Sequence, residues 1–192
     1  MKVEHWCNQI KVGHLPAREA WQCVSSTILK ILQYPLPELT LSRQECRQLL
    51  QPIRGVDLPI SKICRKFPHD LLYGSKSTLG LGWDDLYVDQ GTSKIEILLE
   101  HLYTDSTTGS LLRLALEWSS IHVGIGRNLF SLDFKLFGHL LPQSWIKSLW
   151  QFASEYNIHI PAQEEHLELR REGDSLLTEM FAHSDTGTPA LR

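Results

Sequence analysis

The sequence predicts an all-α fold, an irregular bundle of about six to eight helices followed by a flexible acidic C-terminal tail. Three observations predict it. Apolar residues recur three and four positions apart over several long stretches, the spacing that gathers them on one side of a helix. Prolines and glycines fall where those stretches end. Two short β-like pieces, residues 121–125 and 158–160, lack the alternation and the turn partners of a sheet. With 192 residues, 42% of them hydrophobic, the chain has enough apolar surface to build a core.

The first helix carries Val3, Trp6, Cys7 and Ile10 and stops at Gly13. A second, from Pro16 to Tyr34, presents Ala17, Ala20, Trp21, Val24, Ile28, Ile31 and Leu32 at helical spacing. Pro35 and Pro37 end it, and the two helices are expected to form a hairpin. Ser42-Arg43-Gln44-Glu45 is a capping box, in which Ser42 accepts from the Glu45 amide while the Glu45 carboxylate returns to the Ser42 amide. The helix it starts runs to about Gln51, with Cys46, Leu49 and Leu50 inward, and Pro52 ends or kinks it. Another helical stretch, around 60–66, leads through Pro68 to residues 70–73, where Gly74 is placed to terminate it.

Residues 75–82 are rich in Gly, Ser and Thr and read as a loop. Asp84 or Asp85 then caps a long helix through Ile95, Leu98, Leu99 and Leu102. After a turn at 104–109, Leu111, Leu112, Ala115, Leu116 and Trp118 continue the helical pattern. A last strong helix, about 143–156, presents Trp145, Ile146, Leu149, Trp150, Ala153 and Tyr156. Beyond Pro161 the chain turns acidic and loses aromatic residues apart from Phe181, the composition of a mobile or weakly helical extension. The expected organisation is one helical domain over 1–161, with a basic half at 1–82 and an acidic, aromatic half at 83–161, and a tail at 162–192.

The net charge is only −3, yet the halves differ: residues 1–82 hold 11 Lys/Arg against 6 Asp/Glu, a balance of +5, which leaves −8 for the remainder. An anionic partner is expected to meet the first half. No stretch approaches the roughly eighteen uninterrupted apolar residues of a membrane span, and Lys2-Val3-Glu4-His5 is not an apolar leader, so a soluble intracellular protein, cytoplasmic or nuclear, is expected. Cys7, Cys23, Cys46 and Cys64 lie far apart, with no paired spacing, and read as reduced core or half-buried thiols.

Motifs that carry chemistry are incomplete. Gly74-Ser75-Lys76-Ser77-Thr78 has the residue types of a phosphate-binding loop, but Asp70 and Ser75 stand at the two required glycine positions and no apolar strand precedes it. Trp83-Asp84-Asp85 looks like the aromatic and paired aspartates of a polymerase hairpin, yet its flanks are loop and helix, and helix capping explains it better. The nine histidines are spread singly, Gly124-Ile125-Gly126 is too short for a dinucleotide fingerprint, and no nucleophile elbow is present. No catalytic residue, metal ligand or cofactor is expected, and whether the chain is an enzyme is left open by its lack of a complete active site.

The basic residues of the first half point further. Arg43 and Arg47 are one turn apart on one side of a helix, and Lys62, Arg65 and Lys66 form a second cluster. Arg18, with Gln22, lines the solvent face of the expected hairpin. These six cations are the residue types that seat a phosphate backbone, although solvated arginines on a helix surface have the same pattern.

Gly13-His14-Leu15-Pro16-Ala17-Arg18-Glu19-Ala20-Trp21 is followed in order by Tyr34-Pro35-Leu36-Pro37, Glu45-Cys46, Phe67-Pro68, Leu72-Tyr73-Gly74, Leu79-Gly80-Leu81-Gly82, Asp85-Leu86-Tyr87 and Gln90-Gly91. This series, over roughly residues 1–157, resembles the region after the catalytic palm in reverse transcriptases of non-LTR retrotransposons. The resemblance implies a thumb-like helical module that holds RNA–DNA hybrid or duplex beside a palm domain, within a family of RNA-directed DNA polymerases. The palm's metal-binding aspartates are not found in this sequence, so the resemblance implies a noncatalytic fragment. The alternative reading is a helical protein-interaction module, engaging its partner through the acidic tail and the aromatic second half, with no nucleic-acid role.

Overall fold

A computed structural model of the chain describes residues 2–124 and 128–160, which are all-α: eight helices and no strand occur among them. The expected acidic tail, 162–192, lies outside the described residues. Two compact units divide the chain at Lys94 and Ile95.

In the first unit, α1 (Lys2–Val12) stops where expected: the Gly13 N–H closes on the Gln9 carbonyl at 2.8 Å and His14 turns left-handed at φ 48°. Helix α2 covers residues 17–33, as Ala17–Cys23, a π-helical turn Val24–Ile28, and Leu29–Gln33. Two serines at that turn bond backward, Ser25 Oγ to the Trp21 carbonyl at 2.8 Å and Ser26 Oγ to the Gln22 carbonyl at 2.6 Å. Hydroxyls that compete for helix carbonyls loosen the ladder locally.

The third helix, α3 (Arg43–Ile60), is the common partner of the first two. The expected α1–α2 hairpin is therefore corrected: α1 packs mainly on α3 rather than on its sequence neighbour. The physical reason is the long apolar side of α3, where Cys46, Leu50, Ile53, Val56 and Leu58 are buried. The capping box is formed, with the Glu45 N–H donating to Ser42 Oγ at 3.3 Å and the Ser42 N–H to Glu45 Oε2 at 2.8 Å. These bonds favour the charged carboxylate and hold Glu45 below its ordinary value.

Pro52 does not end α3 near Gln51, because the helix continues through both Pro52 and Pro59 to Ile60. Proline removes one helical N–H, a local loss that buried side chains on either side of Pro52 outweigh. Beyond it Ser61 caps the end and Lys62 turns left-handed at φ 61°. The helix expected around 60–66 is consequently absent, and residues 61–66 are turn and coil.

Helix α4 (His69–Tyr73) ends at Gly74, and the Gly/Ser/Thr segment after it folds back over that end. The Leu81 N–H donates to the Leu71 carbonyl at 2.8 Å, Gly82 to Gly74 at 2.9 Å, and Trp83 to Leu72 at 3.0 Å. Gly80 crosses so close that a Cβ there would stand 2.0 Å from the Gly74 oxygen. Helix α5 (Leu86–His101) starts beneath this loop, with the Tyr87 N–H donating to Asp85 Oδ1 at 3.0 Å. Buried Gln90 on α5 ties the 39–42 connection down, accepting from the Leu41 N–H and donating to the Leu41 carbonyl, both at 3.0 Å.

In the second unit α6 (Thr107–Val123), α7 (Phe134–Phe137) and α8 (Trp145–Glu155) begin at Ser106, Asp133 and Ser144, whose side chains accept from the first-turn amides. Of these α7 is unanticipated, since four residues are too few to show a period. Helix α8 supplies two cores: Ile146 and Trp150 pack with Val123, Leu129, Phe137 and Leu141, while Leu149 and Ala153 pack with Leu98, Leu102 and Ile160. The Trp150 indole donates to the Leu132 carbonyl at 3.2 Å and meets Phe134 edge-on at 5.1 Å. No helix among the described residues is long and apolar enough to cross a membrane.

Candidate functional site

The extra length of α3 builds a groove. Gln44, Arg47, Gln48, Gln51, Arg54 and Gly55 recur at three- and four-residue steps, so they share the side of α3 that does not enter the core. Arg65, from the coil after α3, and His69, from the first turn of α4, close the other wall around about 440 Å³. No carboxylate stands among the described residues that line it. Three guanidinium groups, an imidazole and three amides thus converge on one space, a set with many N–H donors and no fixed negative charge.

Arg54 is the ordered member of this set. Its Nη2 lies 3.0 Å from His69 Nε2, and because a guanidinium only donates, that ring nitrogen must accept. The Tyr73 hydroxyl is the other group on α4 within reach of Arg54. Burial pushes this phenol up, Arg54 pulls it back, and its ring meets His69 at 6.0 Å in a T-shaped pair. The Arg54 Nε is buried without a hydrogen bond.

Of the six cations expected from sequence, the structure brings only Arg47 and Arg65 to this groove. Arg43 is half-buried, its guanidinium carbon 5.0 Å from the centre of the Tyr87 ring. Lys62 and Lys66 are exposed on the turn and coil that replace the expected helix, and Arg18 is exposed on the first turn of α2. Arg54 and His69 were missed. The signal for Arg54 was its seven-residue step from Arg47, which the mistaken helix end at Gln51 concealed.

The incomplete motifs have structural roles. Asp85 caps α5, as expected. Asp84 accepts from Gln33 Nε2 at 2.8 Å and sits 3.5 Å from Lys30 Nζ. The same Gln33 amide reaches Asp89 at 2.6 Å, and burial pushes the Asp89 carboxyl up. The loop 74–80 is a Ser75-capped turn rather than a phosphate cradle. Among the described residues no three His, Cys, Asp or Glu side chains stand where they could hold a metal ion. All four cysteines are free; Cys7 and Cys46 are buried and Cys23 is half-buried, but Cys64 is exposed on the coil, not a core thiol.

Buried charge is concentrated elsewhere in the first unit. Burial raises the Asp57 carboxyl to about 6, with Ser61 and Trp83 opposing the shift, although neither Asp57 Oδ2 nor Trp83 Nε1 completes a hydrogen bond of ordinary geometry. Burial likewise lowers Lys94 to about 8 and raises the Cys46 thiol to about 11. In the second unit, α8 of the aromatic second half named in the alternative reading is largely core, since Ile146, Leu149, Trp150, Phe152 and Ala153 are buried.

No protein-family model, curated protein or solved structure matches this chain.

Proposed function

We propose that this chain is a noncatalytic nucleic-acid-holding module, comparable in role to the thumb of a retrotransposon-type reverse transcriptase. The groove carries the reading: Arg47, Arg54, Arg65 and His69 face one space with Gln44, Gln48 and Gln51 and no carboxylate between them. Guanidinium forks match phosphate oxygens, and glutamine amides both donate and accept toward sugars and base edges. The ordered sequence blocks over roughly 1–157 support the same role. RNA–DNA hybrid or duplex nucleic acid is the proposed partner, and a palm domain is the proposed neighbour.

Fluorescence anisotropy with a labelled RNA–DNA hybrid tests this. Arg47→Glu combined with Arg65→Glu should weaken binding by roughly tenfold or more, because two phosphate contacts become repulsions. Arg18→Glu and Lys62→Glu, outside the groove, should each cost much less, and Arg43→Glu should fall between. Equal losses at all these positions, or none at Arg47 and Arg65, would refute the groove as the binding site.

A further inference from the structure

We propose that the outer face of α6 is a self-association surface that pairs in parallel with α6 of a second copy of this chain. Helix α6 is apolar on two sides. Its inner side packs into the second unit through Leu112, Ala115, Leu116 and Val123. On the other side Leu111, Leu114, Trp118 and Ile121 remain 61%, 61%, 44% and 78% exposed. A helix with apolar side chains on two sides is more stable in water when both are covered, and four large apolar side chains in one row form a patch rather than ordinary scatter.

The spacing of that row describes its cover. The steps are three, four and three residues, the alternation of a seam between two paired helices. Glu117 and His122 border the seam on opposite flanks, five positions apart. In a parallel pair this interval sets the flanking side chain of one helix against that of the other, so Glu117 of each copy faces His122 of its mate, twice by symmetry. One surface thus carries both halves of the complementary pair, which is what a two-fold contact between identical chains requires. The His122 ring packs on Trp118 with centroids 4.0 Å apart, which holds it beside the seam. Arg113, four residues before Glu117, donates to the Leu102 carbonyl at 2.8 Å and to Ser110 Oγ at 3.2 Å.

Sedimentation equilibrium of the full chain decides the matter. The parent should show a concentration-dependent dimer. Leu114→Lys with Ile121→Lys, at exposed positions, should weaken association by roughly tenfold or more while the far-ultraviolet circular dichroism is unchanged. Glu117→Lys alone and His122→Glu alone should each weaken it, and the two together should restore it, because the exchange keeps an N–H donor facing a carboxylate across the seam. A chain that stays monomeric at every concentration, a dimer indifferent to Leu114 and Ile121, or a charge exchange that fails to restore association would each overturn the proposal.

Discussion

Asp57 is fully buried, and its carboxyl is raised from 3.8 to about 6. The folded chain therefore binds this proton more tightly than the unfolded chain does. Its contribution to stability is complete below about pH 4 and declines as pH rises through about 6, a difference of about 3 kcal/mol at 1.36 kcal/mol per unit. Urea titrations of the parent and of Asp57→Asn should show the variant gaining on the parent by that order between about pH 4 and pH 7. A constant difference across that range would contradict the burial argument. Arg54 illustrates the same economy of contacts in the groove, where one guanidinium serves His69 and Tyr73 while its fork borders the open space.

At the scale of elements, the loop over α4 is held by close backbone approach as well as by the Ser75 cap. Gly80→Ala would push a methyl group into the Gly74 carbonyl. The expected loss is about 2–4 kcal/mol of unfolding free energy, measured in urea. Leu79→Ala is the control: Leu79 is 92% exposed, so its change should stay within about 0.5 kcal/mol. The elements most legible in sequence were those with a chemical signature at their ends. Ser42 and Glu45 announced α3, and the Asp84–Asp85 pair announced α5, with Asp85 the cap. Pro52 misled because its local cost is visible in sequence and the burial that offsets it is not. That one error displaced the helix end, moved Arg65 onto coil, and hid Arg54.

For the whole molecule, the net charge of −3 taken alone disfavours a polyanion. At physiological ionic strength, however, exposed charges act over only about 8 Å, so the local surplus in the groove sets what it attracts rather than the sum over the chain. If Arg47, Arg54 and Arg65 each neutralise one phosphate, the logarithm of hybrid affinity should fall against the logarithm of salt concentration with a slope of about −3. Arg47→Glu with Arg65→Glu should reduce that slope to near −1 or below in magnitude. An affinity independent of salt would exclude phosphate contact as the source of binding.

The sequence by itself determined the helical class, the position of most helices, the caps that start α3 and α5 and the surplus of cations in the first half. These are short-range properties, set by side-chain period and by hydrogen bonds within a few residues. Tertiary structure alone decided that α3 passes through Pro52, that α1 chooses α3 over α2, and that Arg54 and His69 join Arg47 and Arg65 around one groove. It also decided that the aromatic face of α8 is core while that of α6 stands open. Which apolar stripe is covered, and which cations meet, depends on contacts between residues distant in the chain, and that competition for partners is not written in any local period.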